Sequence, residues 1–112
     1  MNNSTTIDEE MQLFCRALRD CPLVINQLDA FNAKPVSVRA RLGEKIPAVI
    51  QVTETEGFRD WCEVNEIKPV IVEFERGKPQ WPWEAQVVRY GCVQVICLLT
   101  DQEKEAFECE TV

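Results

Sequence analysis

The chain has 112 residues, 46% hydrophobic and 28% charged, the balance of one globular domain rather than of a disordered, collagenous or membrane chain. Nineteen acidic against twelve basic residues leave a net charge of −7, which repels nucleic-acid phosphates and argues against direct nucleic-acid binding. Apolar stretches such as residues 93–99 fall well short of the roughly 18 residues that cross a bilayer, so no membrane association is expected.

Residues 1–6 are polar, with neither the basic nor the apolar region of a secretory signal. They are expected to be disordered ahead of one domain spanning 7–110, in a protein that stays in the cytoplasm. Ile7, Met11, Phe14, Leu18 and Cys21 recur at helical spacing and predict a helix over 7–20, with Asp8, Glu9 and Glu10 near its positive end. The next segment, Pro22-Leu23-Val24-Ile25, suits a helix start or an edge strand, and local grounds favour helix.

Val36, Val38, Ala40 and Leu42 then alternate with Ser37, Arg39 and Arg41, predicting a half-buried strand closed by a turn at Gly43-Glu44-Lys45. Ile46, Ala48, Ile50 and Val52 face one way on a second strand. A helix over 54–64 carries Phe58, Trp61 and Cys62 on one side, weakened by Gly57 in its first turn. Val70, Val72 and Phe74 are expected to point inward on a third strand, opposite Glu73 and Glu75, with Gly77 ending it.

Residues 84–99 admit a helix opened by Pro82 and Glu84, but their Val and Ile content and Gly91 favour two strands or one bulged strand, and the chain closes on an acidic helix with Ala106 and Phe107 inward. The fold class is therefore α+β, a small, mostly antiparallel sheet with an N-terminal helix, a middle helix and a C-terminal acidic helix.

Three pairs, Thr6/Glu9, Thr53/Glu56 and Thr100/Glu103, have the spacing of a capping box, in which hydroxyl and carboxylate each take up a free backbone N–H. They are 47 residues apart, as are Cys15, Cys62 and Cys109, so an α-β-β-β unit repeated once is one way to organise the chain. That arrangement turns residues 22–27 into a strand. The element order is then similar to that of secretion-type dedicated chaperones, which are small, acidic and usually dimeric. The resemblance is one of element order, with no shared motif, and it implies a protein-binding role and a homodimer.

Chemistry is expected to be sparse. The chain has no histidine, the commonest general base and metal ligand, and only Ser4 and Ser37 offer serine hydroxyls. Its four isolated glycines form no phosphate-cradling loop. The spacings Cys15-x5-Cys21 and Cys92-x4-Cys97 lack zinc knuckles, so no catalytic residue, metal or cofactor is expected. With no export signal the six cysteines read as reduced thiols, and Cys92, close to Arg89, is the one modest redox candidate.

Two features suggest a protein partner. Lys78-Pro79-Gln80-Trp81-Pro82-Trp83 is a stiff loop carrying two rings of the kind enriched at binding hot spots, unless they fold back over the sheet. Basic residues gather at Lys34, Arg39, Arg41 and Lys45, while Asp101, Glu103, Glu105, Glu108 and Glu110 make the last helix acidic. Arg39 and Arg41 pairing with Glu73 and Glu75 is the quiet explanation of part of this segregation. The candidate partner-binding residues are Trp81, Trp83, Arg39, Arg41, Glu103 and Glu105, on a non-enzymatic adaptor, inhibitor or chaperone-like module. An acidic mimic of nucleic acid and a thiol-dependent small enzyme are the alternatives.

Overall fold

The computed structural model describes residues 2–74 and 80–109, with side chains from Asp8 and up to Glu108. Glu75, Gly77, Lys78, Pro79, Glu110 and the side chains of Ser4, Thr6, Ile7 and Cys109, all used above, lie outside what is described. Three helices and five strands follow in the order α1 (Asn2–Ala30), β1 (Pro35–Ala40), β2 (Ala48–Val52), α2 (Thr55–Val64), β3 (Val70–Glu73), β4 (Trp83–Arg89), β5 (Val93–Leu99) and α3 (Asp101–Cys109). The α+β expectation is met, with one mostly antiparallel sheet ordered β1-β2-β5-β4-β3.

α1 begins at Asn2 and continues through Pro22 to Ala30 rather than spanning 7–20. Its buried stripe is Ala17, Cys21, Val24 and Leu28, spaced by three or four residues, and this stripe holds the helix together across the proline. Of the expected stripe, Cys21 is buried and Phe14 half-buried, whereas Met11 and Leu18 are exposed. The helix ends on Asn32 at φ 62°, where Ala33 N donates to Leu28 O, a left-handed cap that satisfies the last carbonyls. α2 ends the same way at Glu66, φ 55°, with Ile67 N donating to Cys62 O.

Gly57 is explained by packing. A Cβ there would lie 2.4 Å from Phe31 O, so α2 starts directly against the end of α1. Phe58, Trp61 and Cys62 are buried as predicted, and Phe58 stacks in tilted contact with Trp61 and Phe107. Of the three capping boxes, the one at Thr100/Glu103 forms, with Thr100 N donating to Glu103 Oε1 at 2.9 Å and Glu103 N to Thr100 Oγ1 at 3.2 Å. α2 is instead capped at Glu54 without a side-chain bond, and residue 6 sits inside α1.

The centre of the sheet is the parallel pair β2–β5, whose Ala48, Ile50, Val52, Val93, Val95, Cys97 and Leu99 are fully buried under the helices. β4 and β5 form the expected pair of strands, joined by Tyr90 and Gly91 at φ 56° and 71°, the two positive values of a primed hairpin turn. β3 differs from expectation. Ile71, paired with Ala85, is on the helix side, while Val70 and Val72 face outward. Three consecutive apolar residues leave alternation undecided there, and the register with β4 settles it.

The 47-residue spacing lays α1 on α2, β1 on β4, β2 on β5 and α2 on α3. With β2 and β5 parallel and their helix-facing residues on the same side, β1 lies outside β2 and β4 outside β5. The two hairpins are thus mirror-related in the sheet, and no rotation superposes them. Residues 22–27 are helical, so the strand that completed the chaperone-like element order is absent from the first half.

Candidate functional site

α1 is pinned to the sheet from one side. Gln27 Nε2 donates to the Tyr90 hydroxyl at 3.2 Å, and Trp61 Nε1 donates to Gln27 Oε1 at 3.3 Å. About two turns earlier, the Cys92 thiol donates to Asp20 Oδ2 at 3.5 Å, while Arg19 Nε donates to Asp20 Oδ1 at 3.0 Å and holds that carboxyl below its ordinary range. Asp20 and Gln27 therefore mark the flank of the helix that looks toward β4.

At about 100° per residue, Met11 and Leu18 are on the opposite flank, the one toward β1. Val38 pairs with Ile50 on the helix-covered face, yet Ile50 is fully buried while Val38, on the edge strand, is 50% exposed. Leu42 is exposed just beyond β1, next to Gly43, against which Glu10 of α1 comes to rest. Met11, Leu18, Val36, Val38 and Leu42 account for half of the large exposed apolar side chains described. Met11 and Leu18 are on the β1-side flank of α1, Val38 is on the helix side of the edge strand and Leu42 lies just past its end, while Val36 sits where the register shifts between Pro35 and Ser37.

The same edge is basic. Arg39 points to the helix-free face of the sheet, beside Val49, and Arg41 lies 3.7 Å from Glu44. Lys34 and Lys45 stand exposed at either end of the hairpin. The quiet pairing of Arg39 and Arg41 with Glu73 is not formed, since β1 and β3 occupy opposite edges of the sheet.

Of the other candidates, Trp83 and Glu103 are engaged internally. Trp83 is half-buried against the core at the start of β4. Its indole N–H donates to Asp101 Oδ1 at 2.8 Å, and Lys104 Nζ lies 4.3 Å from its ring centroid. It clasps α3 to the sheet, while Trp81, two residues earlier, is half-buried. Glu103 belongs to the capping box, Glu108 pairs with Lys104 at 2.6 Å, and Glu105 is exposed.

The thiols are poorly placed for nucleophilic work. Burial pushes Cys62 and Cys97 up to about 12, and it raises Cys92 too, opposite to the depression a redox thiol needs. A cleft of about 300 Å³ between α2 and α3, bordered by Arg59, Glu63, Lys68 and Phe107, has Cys62 in its wall. Among the described residues, no helix is long and apolar enough to cross a membrane. What the sequence reading missed is the flank itself. The alternation of β1 and the exposed stripe of α1 were both visible, but each was assigned to the core. Comparison with protein-family models, curated proteins and solved structures returned no match.

Proposed function

We propose that the chain is a non-enzymatic protein-interaction module of the cytoplasm, an adaptor, inhibitor or chaperone-like partner, which docks another protein on the α1–β1 flank. The observation that carries this reading is the clustering of Met11, Leu18, Val38 and Leu42 along one free edge while their periodic neighbours fill the core. Apolar side chains scattered singly are ordinary on a surface, but a group of them bordering an unpaired strand is a feature of binding sites.

The decisive variant is Leu18→Asp combined with Val38→Asp. Both positions are about half exposed, so urea unfolding is expected to stay within about 1 kcal/mol of wild type. Capture of a partner from extract of the native cell is expected to fail. Capture unchanged in a folded double variant would remove the flank as the docking surface. Sedimentation of the wild type alone tests the homodimer: a dimer abolished by the same two changes makes a second copy the partner.

A further inference from the structure

We infer that the occupant of the flank is an extended segment of a partner chain, alternating apolar and acidic residues, which adds to β1 as a sixth strand. This deepens the reading above and rests on it. Arg41 N donates to Pro47 O at 2.9 Å, which directs the backbone of Arg41 toward β2. Residues two apart in an antiparallel strand aim their N–H and C=O groups the same way, so Ser37 and Arg39 also bond toward β2. Val38 and Ala40 aim theirs outward, and β1 is last in the strand order, so that among the described residues no strand receives them.

An added strand inherits the pleat of its neighbour. Its residues beside Val38 and Ala40 fall on the helix side, where Leu18 and Met11 offer apolar surface that α1 leaves uncovered. Its residues beside Ser37 and Arg39 fall on the helix-free face. Arg39 has no ion-pair partner among the described residues, and the same hairpin carries Lys34 and Lys45 at its ends and Arg41, paired with Glu44, in a chain whose net charge is −7. Apolar side chains on one face and carboxylates on the other complement both surfaces at once. A second copy fits less well, because β1 paired antiparallel with itself brings two Arg39 side chains onto the same face within reach of each other.

The test uses the whole chain and a ten-residue peptide of alternating Val and Glu, read by amide chemical shifts and by anisotropy of the labelled peptide. Controls are alternating Val and Lys, and a peptide of the same composition with the Val and Glu in separate blocks. Shifts are expected to centre on residues 36–42 and 11–18. Binding is expected to weaken at least tenfold for either control and for Ala40→Pro, which removes an outward N–H from an edge strand. Arg39→Glu, an exposed change that leaves the core intact, is expected to reverse the preference toward the Val/Lys peptide. Equal binding of the alternating and blocked Val/Glu peptides, no reversal with Arg39→Glu, or no binding would overturn the inference. Partner capture still lost in the Leu18/Val38 variant alongside any of these results would leave the interaction module standing and remove only this occupant.

Discussion

β1 and β5 are written in the same hand and end in opposite environments. Val36, Val38 and Ala40 alternate along one strand as Val93, Val95, Cys97 and Leu99 do along the other, yet the residues of β5 are buried and those of β1 are exposed. The difference lies in position: β5 is the central strand, packed by α1, α2 and α3, whereas β1 is an edge strand, and α1 is tied by Asp20 and Gln27 to the turn between β4 and β5. Alternation tells which residues share a face. Whether that face is covered depends on a helix placed by contacts elsewhere.

The sharpest break in this comparison runs across one rung of the sheet. Ile50 and Val38 are cross-strand neighbours on the same face. Ile50→Ala is expected to cost about 2–5 kcal/mol in urea unfolding, the range for truncating a packed core residue. Val38→Ala is expected to cost about 0.5 kcal/mol or less. Comparable losses at the two sites would mean that β1 is covered in solution, by a second copy or by a different seating of α1.

Thiols extend the contrast to pH. Cys62 and Cys97 ionise at about 12 in the folded chain, above the ordinary thiol value, so the unfolded chain loses those protons first. Their contribution to stability is whole below about pH 9 and is lost as pH rises toward 12, on the order of 1 kcal/mol per thiol near pH 10. Urea titrations between pH 7.5 and 10.5 should show the decline, and Cys97→Ala should lessen it. The exposed thiol of Cys15 is expected to react with a neutral-pH alkylating reagent long before either of them.

The smallest effect separates two capping frames with identical spelling. Thr100→Ala removes a formed box and is expected to cost about 1 kcal/mol. Thr53→Ala, at a helix capped by Glu54 without a side-chain bond, is expected to change stability by only a few tenths.

Legibility follows the reach of each interaction. The buried face of α2, the inward residues of β2, the two strands within 84–99 and the box at Thr100 depend on neighbours a few residues away, and the sequence displays them. α1 carries two stripes of helical period, the expected Ile7-Met11-Phe14-Leu18-Cys21 and Ala17-Cys21-Val24-Leu28, which meet at Cys21. The second is buried because its small residues let the helix approach the sheet closely. Trp83 looked like a displayed ring because Asp101 and Lys104, which hold it, come 18 and 21 residues later. The candidate surface was legible as parts, the basic hairpin and an apolar strand, but its openness was not.

The central parallel pair also imposes an order of events on folding. β2 finds its partner in β5, whose Val93 stands opposite Ala48 although it lies 45 positions further along the chain. The β1–β2 hairpin can close early from local contacts, but one side of β2 stays unsatisfied until β5 arrives, last of the five strands. During synthesis the first half of this domain therefore waits, with its future core strand exposed to water and to neighbouring chains, for the final strand to emerge.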